Sequence, residues 1–204
     1  CSVLSMLIGK AHLFINGNLR TVMRDIQLAN PHTMLTVPLL LETIYNKMWM
    51  AAEESGKTKQ LHTLFKLKKL QFALGIRKSG KTLESLRQKC FDSIRLVICG
   101  GAQMSAEIME KFQLMGVVVL QGYGITECSP LISVSPYFAQ RRGSVGPAVP
   151  CCKARIADGA MGERGFVEGE IQVKGENVML GYYNNDEANA GAFTEDGWYR
   201  TGDV

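Results

Sequence analysis

The sequence predicts an α/β fold, a mostly parallel sheet flanked by helices and followed by a small β-rich subdomain. Short apolar runs rich in branched residues recur and are closed by turn residues, segments with helical spacing lie between them, and glycines with short alternating strands take over from about Gly143. Alternation of strand and helix implies parallel strands joined by crossovers.

Ala11–Ile15 precedes Asn16-Gly17-Asn18, Thr33–Val37 precedes Pro38, Ile94–Cys99 precedes Gly100-Gly101, and Val117–Leu120 precedes Gln121-Gly122. Each run is too short for a helix, so each is predicted as a buried strand. Pro38 suits a first helical turn, after which Leu41, Ile44, Tyr45 and Met48 share one face. Ser105 is placed to cap the next helix, Glu107 favours its positive end, Ile108, Met109 and Phe112 form its apolar stripe, and Gly116 suits its termination. Further on, Lys153–Ala157 and Glu170–Val173 read as strands and Asp186–Ala192 as a brief helix. The expected organisation is an α/β subdomain over residues 1–142 and a β-rich one over 143–204, with no internal repeat.

At 204 residues, 46% hydrophobic and 21% charged, the chain is large enough for one sizeable core, and disordered or collagen-like classes are excluded. No run approaches the roughly 18 apolar residues of a membrane span, and no signal-peptide pattern opens the sequence, so a cytoplasmic location is expected. The sequence starts at Cys1 rather than Met and stops just after Trp198-Tyr-Arg-Thr-Gly-Asp203, which reads as an internal piece of a longer protein. Six cysteines without C-x-x-C or partnering histidine spacing indicate reduced thiols, neither a zinc site nor a disulfide framework. His12, His32 and His62 likewise lack ligand spacing or a nucleophile partner.

The net charge of +4 is too small to point to nucleic acid. Its distribution is uneven, because lysines and arginines crowd residues 51–89, interleaved with Leu61, Leu64, Phe65, Leu67, Leu70, Phe72 and Leu74. This pattern fits amphipathic helices with lysines on the wet face: a solvated insertion, or a patch that lies on an anionic membrane.

Gln121-Gly-Tyr-Gly-Ile-Thr-Glu-Cys-Ser-Pro130 follows a predicted buried strand, where open α/β sheets collect ligands. Gly122 and Gly124 allow a sharp turn and close approach, and Tyr123 offers a flat ring to a nucleobase. Thr126 offers a hydroxyl to a phosphate oxygen, and Glu127 is a hard oxygen ligand of the kind magnesium takes. Gly100-Gly101-Ala102 leaves a ledge without side chains at another strand end, and Asp203 can accept both hydroxyls of a ribose.

Gln121 to Pro130, Gly143-Ser-Val-Gly146, Gly169-Glu-Ile171 with Asn177-Val-Met-Leu-Gly-Tyr-Tyr183, and Gly197 to Asp203 resemble, in order and spacing, successive motifs of the acyl-adenylate-forming superfamily. Val37-Pro-Leu-Leu-Leu-Glu42 and the basic insertion resemble its long-chain fatty acid–CoA ligase branch. The resemblance implies a ligase that joins a fatty acid to ATP as acyl-AMP and passes the acyl group to CoA. It implies that Gly100, Gly101 and Ala102 border the adenine, Tyr123 stacks on it, Thr126 contacts the α-phosphate, Glu127 binds Mg2+ and Asp203 holds the ribose. Gln121 belongs to the same cofactor-binding set, and Gly122 and Gly124 also border the acyl carboxylate. Cys128 departs from the expected Thr or Ser, at a position whose side chain need not touch substrate. The superfamily's phosphate loop and mobile lysine have no counterpart here, so this polypeptide alone is expected to be inactive. An adenylation domain that loads a carrier protein and a non-catalytic adenylate-binding protein are the alternatives.

Overall fold

A computed structural model of the chain describes residues 8–18, 20–76, 82–85, 88, 93–141, 143–163 and 165–204. Its first sheet has four strands in the order β1 (Thr33–Thr36), β2 (Leu96–Cys99), β3 (Val118–Gly124) and β4 (Leu131–Val134). The first three are parallel, with Thr33 opposite Leu96 and Leu96 opposite Val118, while β4 returns antiparallel to β3. A second sheet is wholly antiparallel and is built from β5 (Cys152–Met161), β6 (Val167–Gly175) and β7 (Tyr199–Arg200). The mostly parallel sheet with helices beside it and a β-rich region after it is the predicted architecture.

Helices α1 (Val22–Ala29), α2 (Pro38–Glu54), α3 (Thr58–Ala73) and α4 (Ala106–Leu114) serve the first sheet. Pro38 begins α2, and Leu41, Ile44 and Met48 are buried on one face. Met109 and Phe112 of α4 join Val97, Cys99 and Val119 of the strands, and Val117 just before β3, in one core. Short α5 (Asp186–Ala192) covers the expected residues and is capped by Asn185, whose side chain accepts from the Ala188 N–H at 3.1 Å.

Four expectations are corrected. Residues 11–15 form no strand; Phe14 and Ile15 are exposed, and a run that finds no neighbouring strand to satisfy its backbone stays irregular. Ser105 occupies the N-cap of α4, yet its hydroxyl makes no capping bond. The turn foreseen at Gln121 starts later, because β3 continues through Gly124 against β4, with a bulge between Tyr123 and Gly124. The two glycines serve close strand approach: a Cβ on Gly122 would lie 3.3 Å from Leu131, and one on Gly124 would collide with the Pro130 carbonyl.

The fourth correction concerns the basic segment, of which Arg77, Lys78, Lys81, Arg87 and Lys89 fall outside the described residues, as do Cys1 and Cys90. On α3 the core-facing row is Leu61, Phe65 and Lys68, an i, i+4, i+7 spacing that brings Lys68 in and turns Leu67 and Leu70 out. Lys68 is 3% exposed, so its alkyl stem lies in the interior. Leu67, Leu70, Phe72 and Leu74 stand exposed beside Lys66 and Lys69. Among the described residues no helix is long and apolar enough to cross a membrane.

Cys99, Cys128 and Cys152 are buried free thiols, and Cys151 is exposed. Burial, then the Glu42 charge, pushes the Cys99 thiol up to about 11. Burial likewise pushes Cys128 up to about 11 and raises Cys152. Since the thiolate is the reactive form, an aromatic disulfide reagent at pH 8 should modify Cys151 in the native protein, with Cys99, Cys128 and Cys152 reacting only on unfolding; site-resolved mass spectrometry reads the order.

Candidate functional site

The end of β2 and the end of β3 lie side by side, since Cys99 is in register with Gln121. Gly100 therefore approaches the Gly122 carbonyl, which a Cβ would meet at 3.4 Å. Gly101, with φ +85°, and Ala102 are exposed next to it, so the ledge adjoins the β3 backbone one residue before the half-buried Tyr123. Gln121 is buried in the sheet and its carbonyl accepts from the Ser135 N–H at 2.9 Å.

The Tyr123 hydroxyl donates to Asp203 Oδ2 at 2.7 Å across 80 residues of sequence. Asp203 is held by its own turn: its N–H donates to Thr201 Oγ1 at 3.1 Å, its carbonyl accepts from the Ile171 N–H at 2.8 Å, and the Thr201 hydroxyl donates to the Ile171 carbonyl at 2.7 Å. The preceding turn is tied to β5 by Arg155, which pairs bidentately with Asp196 at 2.7 and 3.1 Å and lies 4.4 Å over the Trp198 ring. Trp198 is thus a packing anchor for this turn.

After β3 the chain makes a single 3-10 turn, Thr126–Cys128, and leaves it through Ser129 in a left-handed conformation. Cys128 points into the interior with Ile132, Cys152, Val173 and Tyr199. Thr126 is exposed and Glu127 half-buried. The segment after β6 fastens this turn: the Met179 N–H donates to the Glu127 carbonyl at 2.7 Å, and Asn177 Nδ2 donates to the carbonyls of Cys128 at 3.0 Å and Leu131 at 2.9 Å. The Tyr182 hydroxyl donates to Glu127 Oε1 at 3.0 Å and lies 3.1 Å from the Tyr199 hydroxyl.

The structure thus joins Gly100 to Gly122, Tyr123 to Asp203, and Glu127 to β7 by way of Tyr182 and Tyr199. No hydrogen bond joins the Thr126 hydroxyl to the rest among the described residues. Asn177, Tyr182, Tyr199 and Thr201 were not singled out from sequence, although they lie inside the quoted motifs. Their signal was a set of polar and phenolic residues beside glycines, and only their partners give it meaning.

Among the described residues no group of three His, Cys, Asp or Glu side chains could enclose a metal ion. Glu127 is a lone carboxylate with one oxygen bonded to Tyr182. That suits magnesium, which binds through one or two carboxylates and takes its other ligands from phosphate and water. Two clefts, of about 440 and 530 Å³, lie along α3 and α4 and share no residue with this group.

Burial pushes the Tyr123 phenol up to about 12; the Thr201 hydroxyl opposes it, and the hydrogen bond and charge of Asp203 add to the rise. Burial also raises Tyr199 above its ordinary value, followed by the Tyr182 hydroxyl and the Glu127 charge. The folded chain holds a Tyr123 proton that the unfolded chain gives up near pH 10, so the stability it contributes is full below pH 10 and fades as pH rises toward about 12. The loss in urea midpoint between pH 9 and 11 should therefore be smaller in Tyr123→Phe than in the wild type, with the buried thiols of Cys99, Cys128 and Cys152 and the phenols of Tyr45 and Tyr199 supplying the remainder.

Residues 1–183 match the family described as "AMP-binding enzyme". The long-chain-fatty-acid–CoA ligase 1 of Cavia porcellus is 29% identical over 94% of this chain and 28% of its own length. The 2-succinylbenzoate–CoA ligase of Bacillus velezensis is 39% identical over 57% of this chain and 24% of its own length. The chain thus spans 24% and 28% of these relatives. Among solved structures, the A-PCP didomain of carboxylic acid reductase from Segniliparus rugosus in complex with AMP is similar with TM-score 0.67, at 24% identity over 93% of this chain and 24% of that one. ATP-bound MatB from Rhodopseudomonas palustris is similar with TM-score 0.58, at 24% identity over 93% and 31%. These likenesses show the fold, and the family match shows that the chain belongs to the AMP-binding enzyme family.

Proposed function

We propose that this chain forms the adenosine and magnesium side of the active site of an AMP-forming acyl-CoA ligase that activates a long-chain fatty acid. The observation that carries the reading is the 2.7 Å bond between Tyr123 and Asp203. It ties an aromatic face and a carboxylate into one unit, which supports a site that takes the base on one and the sugar on the other. Gly100, Gly101 and Ala102 border the adenine edge, Tyr123 lies against the ring, and Asp203 offers its remaining oxygen to a ribose hydroxyl. Gln121, opposite Cys99 in the sheet, supports the ledge from within.

The reaction brings two anions together. A carboxylate oxygen bonds to the α-phosphorus of ATP as pyrophosphate leaves, and the CoA sulfur then bonds to the acyl carbon as AMP leaves. Thr126 offers its hydroxyl to the α-phosphate, the backbone at Gly122 and Gly124 borders the carboxylate, and Glu127 holds magnesium. The metal, when bound, supplies positive charge that offsets the repulsion between carboxylate and phosphates.

The long-chain assignment draws support from an alignment to the fatty-acid ligase that covers 94% of the chain, the basic segment included. The higher identity of 39% to the 2-succinylbenzoate ligase supports an aryl acid as the second reading. Pyrophosphate exchange into ATP by the full-length protein separates them. Palmitate should support exchange and 2-succinylbenzoate should not, and Glu127→Gln should lower the rate by roughly 100-fold. Exchange with the aryl acid alone would favour the second reading, and exchange with neither would remove the ligase assignment. Exposed Leu67, Leu70 and Leu74 beside Lys66 and Lys69 further support peripheral contact with an anionic membrane surface. Sedimentation with phosphatidylglycerol vesicles should weaken in Leu67→Glu/Leu70→Glu and with added salt.

A further inference from the structure

None of the roles above uses Tyr182, yet the structure fixes it at both ends. Its backbone N–H donates to Asn189 Oδ1 at 2.7 Å, and its carbonyl accepts from Asn189 Nδ2 at 2.9 Å. An amide on α5 thus grips the residue much as a neighbouring strand would. At the other end the phenol meets Glu127 at 3.0 Å and Tyr199 at 3.1 Å.

A phenol carries a single proton, and a carboxylate only accepts. The Tyr182 proton therefore goes to Glu127, which makes Tyr199 the donor within the tyrosine pair. The three groups form a directed chain, Tyr199 to Tyr182 to Glu127, anchored at its far end by a Tyr199 side chain that is buried. Hydrogen bonds in such a chain strengthen one another. Fastening of the segment to the turn does not need the phenol, because the Met179 N–H and the Asn177 amide already tie the backbone at Glu127, Cys128 and Leu131.

We propose that Tyr182, braced by Tyr199, is a positioning residue for Glu127: it engages one carboxylate oxygen, fixes the plane of the carboxyl group and leaves the other oxygen for the divalent cation. This rests on the reading of Glu127 as the metal ligand. Groups that orient metal ligands in this way tune affinity nearly as strongly as the ligands themselves.

The test is a binding measurement on the full-length protein. Mn2+, standing in for Mg2+, is titrated in the presence of ATP with free Mn2+ followed by electron paramagnetic resonance; AMP is titrated separately in EDTA by calorimetry. Tyr182→Phe should weaken Mn2+ binding by about ten-fold and leave metal-free AMP affinity unchanged. Tyr199→Phe should weaken Mn2+ binding less, and Tyr183→Phe, at an exposed neighbour, should do neither. Wild-type Mn2+ affinity in Tyr182→Phe overturns the proposal, and so does equal loss of Mn2+ and AMP binding, which marks a residue that only holds the fold. If the wild-type protein itself binds AMP but no Mn2+ with ATP, or binds neither, the metal-ligand reading falls and this proposal with it.

Discussion

Asn177, Met179 and Tyr182 hydrogen-bond to the short turn that follows β3, and these bonds join the two halves of the candidate site. The turn belongs to the parallel sheet, whereas the segment that grips it leaves the antiparallel one. Without the grip, Glu127 would sit on a free 3-10 turn with a wide choice of side-chain directions. With it, the backbone carbonyl and one carboxylate oxygen are both committed. Half-buried placement matters here, since a carboxylate in a partly dry setting is costly unless bonded.

The apolar interior follows the same division. One cluster gathers α2, α3 and α4 over β2 and β3, and a second gathers Cys128, Ile132, Cys152, Val173 and Tyr199 beneath the turn. Cys128 and Glu127 are neighbours in sequence: the thiol packs into the second cluster, and the carboxylate bonds Tyr182, which packs against that same cluster. The buried thiol is therefore an anchor for the carboxylate beside it, which gives the departure from Thr or Ser at this position a packing role. At the rim, Arg155 works on three partners at once, stacking on Trp198, pairing with Asp196 and bonding Gln172 at 2.9 Å. It fixes the turn that delivers Tyr199 and Asp203.

Periodicity and turn residues made most elements legible. The α2 face, the Asp186–Ala192 helix and the three parallel strands were readable because burial on one face imposes a pattern that survives in the sequence. The run at Ala11–Ile15 misled because a strand needs a partner, which composition does not reveal. Gln121–Gly124 misled for the opposite reason: its glycines looked like a turn, but they admit β4 at close range. On α3 a one-residue offset between the apolar pattern and the buried row placed Lys68 inside and Leu67 outside.

The sequence by itself determined the fold class and, through the order of its motifs, the grouping of Gly100–Ala102, Tyr123, Thr126, Glu127 and Asp203 as one candidate site. That grouping rests on the resemblance in motif order, since local chemistry tells what each residue type can bind but not which residues share a site. Only the tertiary structure decided that Tyr123 bonds Asp203 across 80 residues, that Gln121 of the cofactor-binding set is buried in the sheet, and that Tyr182 and Tyr199 stand between Glu127 and the interior. Hydrogen bonds between distant segments depend on how two sheets meet, and no spacing along a chain encodes that meeting.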